Sequence, residues 1–254
     1  MRDSWWQNSI TVCAMLSCII VANAQEYPRC EFRVVESYPH DESMFTQGLY
    51  WENDKLFESS GGYGKSLLRR YHWPTMKVEK EISIPDKVFA EGITVKDDKI
   101  YQLAWKSGEI TIYDAKDLSF KEKVFFGEPA WGITHLEKAF IRSDGRQCLT
   151  YFKMDPYTKE REVCVRSGKL QMNAIAYQAG VIYANDFPND TLVRINEKTA
   201  EVLDILDLSS LKSGSKALMA NGVAAYKDNQ ILVTGKQWDK LYVLDVSKCQ
   251  PASQ

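Results

Sequence analysis

The segment 89–105, FAEGITVKDDKIYQLAW, sets a single carboxylate, Glu91, directly before a glycine and closes on an indole, Trp105. A carboxylate enclosed by aromatic and aliphatic groups loses hydration, and its pKa climbs toward neutrality. There a side chain can take a proton and return it at physiological pH, which is general acid/base chemistry. Four other segments repeat the layout, and the residues at the head of the five copies are Gln47, Glu91, Trp131, Asn173 and Asn221. A structural position would hold Ala, Val or Ser more often than three amides, an indole and an acid. Late in the chain Lys236 offers a cation that would lower the pKa of Glu91 if the fold brings the two together.

The copies start 44, 40, 42 and 48 residues apart, and each continues into short alternating runs. In the second these are KIYQLAW, EITIYDA and FKEKVFF; in the fourth they are VIYANDF, TLVRINE and AEVLDIL. Asp97-Asp98, Lys106-Ser107-Gly108 and Asn196-Glu197-Lys198 mark turns between them. Four short antiparallel strands in a unit of this length describe a propeller blade. The chain therefore reads as all-β, a five-bladed β-propeller. A β-sandwich or open barrel would not require a register kept through five copies. First strands line the channel of a propeller, so the head residues open on one mouth. The loops after each second strand open there too, with Ser60-Gly61-Gly62, Trp105-Lys106, Ser143-Asp144, Asp186-Phe187 and Lys236-Gln237-Trp238. The sum is an aromatic cup with few polar groups, the profile of a small-molecule or chain-end pocket. The run CEFRVVESY, 30–38, fits as the outer strand of the last blade.

The 254 residues carry a net charge of −2 with both signs interspersed, which gives no footprint for nucleic acid. Residues 1–24 read as a signal peptide: Arg2, an apolar stretch too short to span a bilayer, then Ala22-Asn23-Ala24. Residues 25–254 are then one secreted propeller domain beginning at Gln25. Four cysteines remain, and an even count in a secreted chain predicts two disulfides. Of three possible pairings, Cys30–Cys249 joins the two ends and Cys148–Cys164 joins neighbouring strands. No zinc spacing is present, and His40 and His135 are expected to be structural. No cofactor is expected; a structural calcium is possible in such folds, although no acidic loop demands one. Asn189-Asp190-Thr191 is an N-glycosylation sequon.

The strings YPHDESMFTQGL (38–49), ESSGGYGKSLLR (58–69), FAEGITV (89–95), YQLAWK (101–106), WGITH (131–135) and VTGKQWDKL (233–241) resemble the glutaminyl-peptide cyclotransferases of plant and bacterial type. The resemblance covers nearly all of 25–254. It implies a five-bladed propeller that turns N-terminal glutamine into pyroglutamate, releases ammonia and uses no catalytic metal. It implies Glu91 as catalytic acid/base and Phe45, Gln47, Phe89, Trp105, Trp131, Asn173 and Lys236 as pocket residues. Two departures stand out. The family usually has glutamates where this chain has Ala174 and Ala176, and tryptophan where it has Phe187, whose ring would still wall the glutamine side chain. Peptides and proteins with N-terminal glutamine are the implied partners of a monomer that binds neither nucleic acid nor membrane. Two other functions share the scaffold. A non-catalytic propeller would capture peptide N-termini, and a glycosidase would pair Glu91 with Asp144 or Asp186.

Overall fold

The structure, a computed structural model, describes residues 27–166 and 169–249; the signal-peptide reading of 1–24 lies outside them. Strand β1 (Arg33–Pro39) precedes the first blade, which comprises β2 (Thr46–Glu52), β3 (Lys55–Ser60), β4 (Leu67–His72) and β5 (Lys77–Ser83). The second holds β6 (Ala90–Lys96), β7 (Lys99–Ala104), β8 (Glu109–Asp114) and β9 (Phe120–Phe125). The third holds β10 (Ile133–His135), β11 (Phe140–Arg142), β12 (Cys148–Lys153) and β13 (Thr158–Cys164). The fourth holds β14 (Met172–Gln178), β15 (Val181–Asp186), β16 (Thr191–Asn196) and β17 (Val202–Asp207). In the fifth, β18 (Ala220–Ala225), β19 (Gln230–Gly235) and β20 (Lys240–Asp245) are completed by β1, which pairs antiparallel with β20 from Arg33↔Asp245 to Pro39↔Lys240. All five sheets are four-stranded, and the innermost strands neighbour one another in the order β2, β6, β10, β14, β18 and back to β2. The described chain is thus a closed five-bladed β-propeller.

Burial follows position in the blade. Strand β6 is buried along nearly its whole length, whereas β5 and β9 on the rim are mostly exposed. Apolar side chains of adjacent blades interlock between sheets; Phe57 and Leu68 of the first meet Ile93, Ile100 and Tyr113 of the second. Inner strands turn back through two-residue loops that need positive φ, supplied by Asn53-Asp54 and Asp97-Asp98. Glycine at the repeated position has a steric cause. A Cβ on Gly48 would lie 2.5 Å from Ile93 N, and one on Gly92 would lie 2.7 Å from Trp131 O. Only a bare backbone lets neighbouring blades approach that closely at the axis.

Cys30 is bonded to Cys249 with Cα atoms 5.2 Å apart, and Cys148 to Cys164 with Cα atoms 4.0 Å apart. The second pair occupies directly opposed positions on β12 and β13. Among the described residues no helix is long and apolar enough to cross a membrane.

A candidate active site at one mouth of the axial channel

Four of the five head residues sit in a break of strand register. The ladder slips between Thr46 and Gly48, Ala90 and Ile93, Met172 and Ile175, and Ala220 and Val223. Each slip brackets Gln47, Glu91, Asn173 or Asn221. A bulge of this kind re-aims a side chain that regular pleating would bury between sheets. Trp131 reaches its place differently, from the segment just before the short β10.

Hydrogen bonds then link these positions in series, from Gly92 around the axis to Gln47. Gly92 N donates to Trp131 O at 2.7 Å. Gly132 N donates to Ser143 Oγ at 2.8 Å, and that hydroxyl donates to Asn173 O at 2.6 Å. Ala174 N donates to Asn221 Oδ1 at 3.3 Å, while Asn221 Nδ2 donates to Thr46 O at 2.9 Å and to Gln47 Oε1 at 2.8 Å. With its oxygen accepting, the Gln47 amide keeps its NH₂ group as a donor.

An arc of aromatic rings adjoins these positions. Trp105 meets Phe89 edge to face at 5.4 Å, and Phe89 meets Phe45 at 6.3 Å. Lys236 Nζ lies 4.7 Å from the Phe45 ring and 5.4 Å from the Phe187 ring, and Phe187 meets Trp131 at 5.5 Å. The nine residues named as site candidates therefore converge: Glu91, Phe45, Gln47, Phe89, Trp105, Trp131, Asn173, Phe187 and Lys236. Glu91 and Lys236 are each 4% exposed. Burial pushes the Glu91 carboxyl well above the usual carboxylate range, with the Lys236 charge pulling the other way. Burial likewise depresses the Lys236 amine, against the opposing pull of Glu91. Glu91 Oε2 and Asn173 Oδ1 are buried and have no hydrogen-bond partner among the described residues. Buried acceptors are nearly always satisfied, so two left open at the same mouth suit a ligand rich in N–H donors, such as an α-ammonium group.

A fully buried polar network supports this mouth from below. Glu58 accepts from His40 Nε2 at 2.9 Å, Thr46 Oγ1 at 2.7 Å and Tyr71 Oη at 2.8 Å. His40 Nδ1 donates to Trp238 O at 2.8 Å. Acceptors at both nitrogens favour the imidazolium form of His40. Burial alone would lower its pKa; Glu58 and the Trp238 carbonyl override that and raise it. The network fixes Thr46, next to Gln47, and Trp238, two residues beyond Lys236. His135 is structural as well, bonded to Thr94 Oγ1 at 2.9 Å beside a cavity of about 250 Å³ at the opposite end of the axis.

Some expectations for the mouth do not hold. Trp238 does not line the cup; it is fully buried in the last blade and donates to Leu218 O at 2.9 Å. Asp144 accepts from Arg146 Nε at 2.9 Å, and Asp186 accepts from Gln171 N and Asn189 Nδ2, both at 2.9 Å. Both acids are engaged by neighbouring groups rather than by Glu91, which counts against their serving as the second carboxylate a glycosidase needs. Tyr63 escapes the sequence reading: it is 54% exposed at the rim and meets Phe89 at 5.5 Å. Its signal was its place just after Ser60-Gly61-Gly62. Among the described residues, the groups of three side chains close enough to share an ion are Cys30, Asp204, Cys249 and Cys148, Glu162, Cys164, each containing a disulfide pair.

The sequence model of the glutamine cyclotransferase family matches residues 9–246. A curated glutaminyl-peptide cyclotransferase of Arabidopsis thaliana is 35% identical over 238 residues, spanning 88% of this chain and 73% of its own length. The crystal structure of a Myxococcus xanthus glutaminyl cyclase aligns with a TM-score of 0.77 at 27% identity, covering 87% of this chain and 99% of that one. A chain of a nidogen/laminin complex aligns with a TM-score of 0.55 at 13% identity over 81% of this chain and 77% of its own, a likeness of fold alone.

Proposed function

We infer the function from one premise: the chain belongs to the glutamine cyclotransferase family. It is an acyltransferase that converts the N-terminal glutamine of peptides and proteins to pyroglutamate and releases ammonia. The observation that carries the residue roles is a buried Glu91, its Oε2 without a hydrogen-bond partner, sharing one aromatic cup with Lys236.

The substrate folds so that its α-nitrogen lies against its own side-chain carbonyl carbon, which removes much of the entropic barrier to ring closure. The α-ammonium has an ordinary pKa of about 8, so it must lose a proton before attack. Glu91 takes it, with Asn173 Oδ1 as the second acceptor holding the nitrogen. The nitrogen lone pair forms the new C–N bond while the carbonyl π electrons move onto oxygen. Gln47, through its NH₂, and Lys236 are the donors for that oxyanion, each worth about 3 kcal/mol when aligned. Glu91 first hands the α-ammonium proton to the amide nitrogen and then, a carboxylate again, takes the surplus proton of the new ring nitrogen, which it passes on to the departing ammonia. The old C–N bond then breaks, the carbonyl re-forms and ammonia departs. Phe45, Phe89, Trp105, Trp131 and Phe187 wall the side chain and keep water out.

The test is release of ammonia from Gln-Ala-type peptides, followed by Glu91→Gln. That variant should stay folded and lose about 10²–10⁴ in kcat. Turnover within a few fold of the unaltered protein would refute Glu91 as the base. A propeller that merely captured peptide ends would bind them without releasing ammonia.

The two disulfides support an oxidising compartment, and with a signal at 1–24 the protein is secreted as a monomer. Asn189 is exposed on the β15–β16 turn, open to a glycan. The mass and sedimentation of protein released by a eukaryotic secretory host check cleavage after Ala24, the glycan and the monomer together.

A further inference from the structure

A groove of about 680 Å³ leaves the mouth between the third and fourth blades, walled by Arg146, Gln147, Lys169, Gln171, Phe187 and Pro188. Phe187 belongs to both spaces, since the same ring meets Trp131 and Lys236 in the cup. A chain whose first residue fills the cup thus has a continuous path outward past Phe187. The walls are joined by backbone hydrogen bonds: Phe187 N to Gln171 O at 2.9 Å, Gly145 N to Met172 O at 3.2 Å and Met172 N to Arg146 O at 3.3 Å. The path is therefore built into the fold.

Among the described residues that line the groove, the charged side chains are Arg146 and Lys169, and none is a carboxylate. Asp186, one residue before Phe187, has its oxygens engaged by the neutral donors Gln171 N and Asn189 Nδ2, which fix the carboxylate without cancelling its charge. Arg146 is largely matched by Asp144 and lies 3.6 Å from Glu162. Lys169 is exposed and forms no ion pair among the described residues. An unmatched cation on an amide-lined wall attracts a carboxylate and repels an ammonium.

We propose that this groove receives the residues following the cyclising glutamine and selects acidic side chains there, with Lys169 as the specificity-determining charge. The proposal rests on the cyclotransferase reading of the cup. Three substrates test it: glutaminamide, too short to enter the groove, and the tetrapeptides Gln-Glu-Glu-Ala and Gln-Lys-Lys-Ala. Each peptide's kcat/KM is expressed relative to glutaminamide. The unaltered enzyme should favour the acidic peptide over the basic one by about fivefold, the upper end for a solvated ion pair, through KM and less so at high salt. Lys169→Glu should abolish or invert that ratio. No acidic preference, or one that Lys169→Glu leaves intact, overturns the proposal and leaves the cup's chemistry standing. A preference that moves instead with Tyr63→Ala places the chain on the opposite rim and overturns it as well. Failure of the unaltered enzyme to release ammonia from glutaminamide overturns both readings.

Discussion

Two groups of opposite charge share one apolar enclosure at the mouth, and each is displaced in the direction that burial dictates. Desolvation therefore outweighs their mutual attraction, and Glu91 is tuned as a proton carrier rather than locked as an ion-pair partner. Lys236 nonetheless pulls the Glu91 pKa downward, so removing its charge must raise that pKa further. Lys236→Met should move the acid limb of the kcat–pH profile to higher pH. It should also lower the plateau by about 10²–10³, the cost of one oxyanion donor. The kcat profile is the one to measure, because it reports groups in the bound complex and excludes the free substrate's amine. A limb that stays put or moves to lower pH would show that Glu91 does not sense Lys236. The head residues are legible in the sequence because they repeat. Phe45 and Phe89 are less so: each stands two residues before a head residue, but the other three copies hold Pro129, Gln171 and Met219 there, so the repeat does not single them out and resemblance to the family does.

At the scale of strands and loops, the mouth depends on register slips that no periodicity reveals. Gln47, Glu91, Asn173 and Asn221 each look like one more residue of an alternating strand. Three-dimensional pairing is needed to see that the ladder skips there. The elements flanking Gln47 and Lys236 are held by the Glu58–His40 pair, and its linkage to pH can be worked out. Burial would raise the Glu58 pKa, but His40 overrides it and the net shift is downward, while His40 is shifted upward. The Glu58 contribution to stability is full above its unfolded value of about 4.3 and fades as pH falls through its folded value. The His40 contribution is full below its unfolded value of about 6.5 and fades as pH rises through its folded value. Both are complete between those limits. Glu58→Gln strands a buried imidazole, and at pH 5.5 it should cost about 3–5 kcal/mol. Urea unfolding at pH 5.5 and pH 9 is the measurement; a loss as large at pH 9 would contradict the ion-pair account.

At the scale of the whole molecule, the ring must close for any head residue to face the axis. Five sequence copies announce the blades, and the leading segment announces the closing strand, because 30–38 alternates like an outer strand and no other blade lacks one. Closure brings β1 to β20, and it places Cys30 against Cys249 across 219 residues of sequence. A bridge spanning that length removes much of the freedom of the unfolded chain, worth about 2–5 kcal/mol. It contributes little to the cup itself, because the mouth is fixed by the inner-strand hydrogen bonds and the Glu58 network. The double variant Cys30→Ala, Cys249→Ala should therefore lower the urea midpoint while kcat/KM at 25 °C stays within about twofold. Its unfolding should begin with release of β1, so amides of β1 and β20 should lose exchange protection before those of β6. A variant that loses activity in step with stability would instead show that the closure holds the catalytic mouth directly.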